Sequence, residues 1–167
     1  MSQTSISTSL TIAFAGMLAD SGPNDIITRH NSEASAEMPF GVGVKQGVAD
    51  AAALLPAAQA DDIIGVVLHS HAYAKPTELG DDGLKPEAVM SLLRRGRVYV
   101  QVEEAVAPGD RGFCRRTAGA GEQLGAWRAS ADSTDCVDCT KQTVFLTTAS
   151  ASGFAVMECD FLNEPDA

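Results

Sequence analysis

The sequence predicts an all-β fold: a small β-barrel or β-sandwich, β-tulip or jelly-roll-like, with long loops and little helix. Three observations carry that expectation. Short runs of alternating apolar and polar residues recur about every ten to fifteen residues. No stretch shows the 3.6-residue period of an amphipathic helix for long enough to form one. Ala, Gly, Val, Ser and Thr are plentiful and only 5% of the 167 residues are aromatic, a composition that suits a thin pleated interior better than a wide helical one.

Taken in order, residues 1–14 read as a flexible arm, Ser/Thr-rich and without a core-forming pattern through residue 11. Ser21-Gly22-Pro23-Asn24-Asp25 is a turn signal, and the polar stretch from Ser21 to Ala36 reads as a loop. In PFGVGVKQGV, Phe40, Val42, Val44 and Val48 alternate with Gly41, Gly43, Lys45 and Gly47, the period of a strand. Pro56 interrupts the alanine-rich run that follows, so a short strand or single turn running into a loop is expected there. The next strand places Ile64, Val66 and Leu68 on one face and Gly65, Val67, His69 and His71 on the other.

After a long polar loop, VMSLLRRGRVYVQVEE reads as a hairpin turning at Arg95-Gly96. Its second arm directs Val98, Val100 and Val102 inward and Arg97, Tyr99, Gln101 and Glu103 outward. Pro108-Gly109 makes the following turn, and RGFCRR is a further strand. Residues 117–141 read as a long loop with a short strand near Trp127. TVFLTTASASGFAVMECDF closes the chain as two strands joined across Ser150-Ala151-Ser152-Gly153. Residues 15–162 thus form one domain, and 163–167 are an acidic tail.

The formal charge of −10, from 22 acidic against 12 basic residues, argues against nucleic acid and against an anionic membrane surface, both of which require clustered cations. No apolar run approaches the roughly 20 residues of a membrane-spanning helix. Before the apolar run at Ala13 there is no Lys or Arg, so a secretory signal is not expected and a cytosolic product is. Four cysteines are present, and Cys136 and Cys139 form a C-x-x-C. Free thiols are expected, with a Cys136–Cys139 disulfide or an all-thiolate zinc site as alternatives. Cys159 falls on one apolar face with Ala155, Met157 and Phe161, where a buried inert thiol fits.

Candidate chemistry is sparse. Glu103 and Glu104 are neighbours on a strand, so they point to opposite faces and cannot oppose one another across a cleft as a glycosidase pair must. They read as scaffold. His69 and His71 share a strand face and would suit a metal-binding, cupin-like β-barrel enzyme, but the glycine and glutamate spacings around them do not fit and no later histidine follows. Exposed aromatics such as Tyr99 and Trp127 would suit a carbohydrate-binding β-module. No catalytic, cofactor-binding or metal-binding residue is assigned.

The order of the pieces is itself informative. GMLADSGPNDIITRHN, PFGVGVKQG, DIIGVV, RRGRVYVQVEEAVAPGD, GAWRASADS and TVFLTTASASGFAVMEC, spanning roughly residues 15 to 160, resemble the capsid cement, or decoration, proteins of tailed bacteriophages. The H-S-H strand and the C-V-D-C loop stand outside that pattern. The resemblance implies a structural virion protein that binds the outside of the assembled capsid at subunit junctions and stabilises the head, with no catalytic residues. It implies the major capsid protein as partner and self-association as a homotrimer, with a homodimer as the alternative. The arm Ser2–Thr11 and the loop Ser21–Ala36 are the segments expected to lie against the shell.

Overall fold

The computed structural model describes residues 13–34, 37–70, 83–119 and 122–162. Ten strands and no helix appear among them: β1 (Asp25–Asn31), β2 (Gly43–Gln46), β3 (Ala52–Leu54), β4 (Ile63–Val67), β5 (Val89–Gln101), β6 (Phe113–Arg115), β7 (Trp127–Arg128), β8 (Cys136–Asp138), β9 (Thr143–Phe145) and β10 (Phe154–Asp160). The order β1-β3-β2-β4-β5 closes on itself through a β1–β5 pairing, giving a five-stranded barrel. From β5 the sheet continues into β10 and β9, and a separate three-stranded sheet runs β7-β6-β8.

The architecture turns on β5, and here the sequence expectation is corrected. Residues 89–101 are one continuous strand of 13 residues, not a hairpin turning at Arg95-Gly96. Its first half pairs with β1 and β4, and its second half pairs with β10 from Arg95 to Gln101. Gly96 serves a different purpose from a turn. Its φ is +140°, and a Cβ there would overlap the side-chain oxygen of Asn24, so only glycine lets the 21–24 turn close against the strand. Near it, the register shifts between Asp25 and Ile26, whose partners on β5 are Arg95 and Leu93. A bulge of this kind reverses the alternation beyond it. Leu93 therefore shares a core with Val98 and Val100, although the spacing of five would otherwise send them to opposite faces.

The segment Ser21–Ala36 is also corrected, since its middle is β1 and not loop. Its sequence hides the alternation because both faces are partly covered: Ile27 packs toward the barrel core, while Ile26 is 45% exposed. The final hairpin, the Pro108-Gly109 turn and the strands at Phe113 and Trp127 lie where the sequence places them. Val98, Val100 and Val102 point inward as expected.

Two cores result. Met38, Val42, Val44, Ala53, Leu55, Val67, Leu84, Met90 and Leu92 fill the barrel. A larger cluster outside its wall joins Val66, Leu93 and Val98–Val102 to Trp127, Phe145, Met157 and Phe161. β4 and β5 contribute to both, which explains why β4 is buried on both faces instead of alternating. Gly65 allows that close pairing, because a Cβ there would stand 2.9 Å from the Leu93 carbonyl oxygen.

Candidate functional site

The residues from which chemistry was expected are dispersed. His69 lies just past β4, stacked on Phe14 with ring centroids 5.7 Å apart and tilted against Phe40 at 4.7 Å. Its backbone N–H donates to the Gly16 carbonyl at 2.9 Å. His71 lies outside the described residues, and among those described no cluster of His, Cys, Asp or Glu could hold a metal ion. Trp127 is wholly buried, with Nε1 donating to the Gly41 carbonyl at 2.9 Å, so it offers no stacking face to a sugar. That corrects the expectation of an exposed tryptophan. Tyr99 is half-buried beside the N-terminal segment, which pairs with its backbone N–H and C=O through Met17 and Gly16.

Cys136 opens β8 and Cys139 follows just past its end, so the C-x-x-C is only partly loop. Cys139 joins Cys114 in the outer core, while Cys136 pairs across to Arg115. All four thiols are free and buried. Burial holds Cys114 and Cys139 well above the ordinary thiol range and pushes Cys159 up to about 12. They are inert packing groups.

The densest electrostatic arrangement, which sequence reasoning missed, surrounds Arg115. Its side chain is 2% exposed. Nε donates to both oxygens of Glu103 at 2.7 and 2.8 Å, and Nη2 reaches Asp132 at 3.0 Å and Glu122 at 3.1 Å. Arg128 adds contacts to Asp132 at 2.9 Å, Glu104 at 3.4 Å and Glu103 at 3.7 Å. Both glutamates thus face one pair of arginines, because the chain bends at residues 103–104 once β5 ends. The opposite-face expectation fails there for that reason. Burial raises the Glu103 carboxyl, despite Arg115. Burial also pushes Glu104 upward, but the Ser130 hydroxyl and N–H, Arg128 and the Ala129 N–H outweigh it, leaving Glu104 below the ordinary value. The Arg115 guanidinium lowers Asp132. A cleft of about 550 Å³ opens beside the cluster, between Phe40–Val42 and Arg128. The charges there pair with one another, so the cluster ties β5, β6 and the β7–β8 connection together.

The outward face of β5 and β10 carries looser pairs, Arg97 to Glu158 at 2.7 Å and to Asp20 at 3.2 Å, and Arg95 to Asp160 at 3.6 Å. A module that attaches and a vessel that reacts are the two readings this surface leaves.

Comparison with known proteins decides between these. A family model described as structural cement protein (E217 gp24/Pam3 gp6) matches residues 2–160. The chain belongs to the phage structural cement protein family. Among solved structures, a chain from the capsid of Myoviridae phage XM1 superposes with a TM-score of 0.70 at 16% identity, covering 95% of this chain and 96% of that one. No curated protein sequence matches. The cement protein is thus a structural component of the virion that stabilises the head, and the metal-enzyme and sugar-binding alternatives have no support. Of the H-S-H and C-V-D-C features, foreign to the sequence resemblance, His69, Cys136 and Cys139 act as packing groups.

Proposed function

We propose that this cement protein acts without catalysis, by binding the outer surface of the assembled capsid across junctions between major capsid subunits. A ligand that binds only the assembled shell stabilises it by mass action, by about 2.7 kcal/mol per site at one hundred times the dissociation constant. Bridging two subunits directs that free energy to the joint itself. The acidic charge of −10 suits the exterior, away from packaged DNA. Seating on a symmetry axis calls for a closed oligomer of matching symmetry, and we favour a homotrimer over a homodimer. The observation that carries the reading is the family match along residues 2–160.

Cosedimentation of the purified protein with empty expanded capsids tests it. Saturable loading at a fixed ratio to the major capsid protein, absent with unassembled subunits, is the expected result. Equal binding to free subunits and to shells would overturn the linkage argument.

A further inference from the structure

β1 closes the barrel over only part of its length. It meets β3 through His30 and Asn31 alone, while β5 covers its other side from Asp25 to His30. Hydrogen bonding fixes which groups remain open. The Asn31 N–H donates to Ala88, on the β5 side, and the His30 N–H donates to Ala51, on the β3 side. Backbone groups alternate along a strand, so those of Ile26 and Thr28 point away from β5, where no strand among the described residues pairs with them. Ile26 is 45% exposed and Thr28 is exposed as well.

Native proteins guard such edges with charge, proline or a covering element, and neither Ile26 nor Thr28 supplies one. A stopgap is present: Arg29 Nη1 donates to the Thr28 carbonyl at 3.0 Å, while Arg29 Nε is buried with no hydrogen-bond partner among the described residues.

We infer that the open edge of β1 receives the N-terminal segment, residues 2–12, of a neighbouring copy as an added strand. The sequence of that segment suits the edge. Thr4, Ile6, Thr8, Leu10 and Ile12 occupy even positions, and Gln3, Ser5, Ser7, Ser9 and Thr11 occupy odd ones. This alternation is too polar to build a core of its own, and it carries no ionised side chain, so two chains of charge −10 meet without a like-charge contact. The length suffices: eleven extended residues reach about 36 Å.

The segment joins the described fold at Ala13, held beside β4 by the bond from the His69 N–H to Gly16 and beside β5 by the bond from Gly16 to Tyr99. No described strand of the same chain takes that edge, and the arm leaves the fold beside Tyr99, six residues along β5 from Leu93, the partner of Ile26; the added strand is therefore assigned to a neighbouring copy. An arm leaving one place and docking at another is a head-to-tail contact, which closes a ring when each copy passes its arm to the next. The inference rests on the self-association proposed above and supplies its contact.

Sedimentation velocity of the full chain beside a variant lacking residues 2–12, Thr28→Pro and Ile26→Lys tests it. Proline removes the outward N–H at an edge position and lysine charges the rim, and neither change touches a core side chain. The wild type is expected as a closed oligomer. All three variants are expected at the 17.4 kDa class of a single chain, with unchanged circular dichroism spectra. A synthetic peptide of residues 2–12 should bind the truncated protein at least about tenfold more tightly than the truncated protein carrying Thr28→Pro. If Thr28→Pro does not fold, Ile26→Lys decides the matter, with the peptide compared between the truncated protein and the truncated protein carrying Ile26→Lys.

Edge variants that stay oligomeric overturn the inference, as does a monomeric wild type. Edge variants that stay oligomeric but no longer load onto capsids assign the edge to the shell, which also overturns it. Wild-type loading onto capsids is scored separately, so failure of the arm exchange is distinguishable from failure of the cement reading.

Discussion

Inside the barrel, Met38, Val67, Leu84 and Leu92 meet without an ionised side chain among them, and the buried Asn31 satisfies its amide on the Leu84 carbonyl at 3.0 Å. Outside the wall, the three-stranded sheet closes over Trp127 on one side and the charged Arg115 cluster on the other. The first region depends on apolar burial and a closed ladder. The second has strands of only two or three residues, too short to hold register by backbone pairing alone. Side-chain ties replace ladder length there. The two regions should accordingly fail in different ways.

The largest effect is expected from Trp127→Ala. It removes the side chain that joins the outer sheet to the barrel through Gly41, and a buried tryptophan truncation costs about 4 kcal/mol. Chemical denaturation should show that loss, and limited proteolysis should cut residues 113–138 before the barrel strands. Simultaneous loss of both regions would merge the two into one cooperative unit.

Next comes Arg115→Leu, which leaves Glu103 half-buried without the Nε–H shared by both its oxygens and should cost about 3 kcal/mol. Combining it with Glu103→Leu should recover most of that loss, because the stranded carboxylate is then gone. A double variant no better than the single one would show that Arg115 acts through packing instead.

Acid should separate the regions further. Glu104 and Asp132 have lowered pKa values, so their contribution is complete above their unfolded values and is lost as pH falls through the folded ones. Glu103, raised by burial, works in the opposite sense: on descending from neutrality it favours the folded state as it takes up its proton. A melting temperature nearly level from pH 7 to about 5, then falling below about 4, is the expected profile. Asp132→Asn should flatten the acid limb. The smallest effect is expected from Arg97→Ala on the solvent face, which should leave the melting temperature unchanged.

The same contrast explains what the sequence could reveal. Alternation exposed the strands with one clear inner face, such as Val98–Val102 and Ala155–Phe161, and the turn residues located the final hairpin. Sequence reading failed where geometry depends on a distant partner. Gly96 looks like a hairpin turn until Asn24 is placed against it, and β1 looks like loop because its partners begin 20 or more residues later. Arg115 gave no signal, since nothing in RGFCRR indicates that Glu103, Glu122 and Asp132 converge on it. The bend after Gln101 that turns Glu103 and Glu104 to one side is equally silent in one dimension.

The central claim is that attachment of this module strengthens a viral shell. Calorimetry of empty expanded capsids, with and without saturating protein, tests it most directly. An upward shift of the shell's own melting transition that saturates with occupancy is predicted; full occupancy with an unmoved transition would contradict the account.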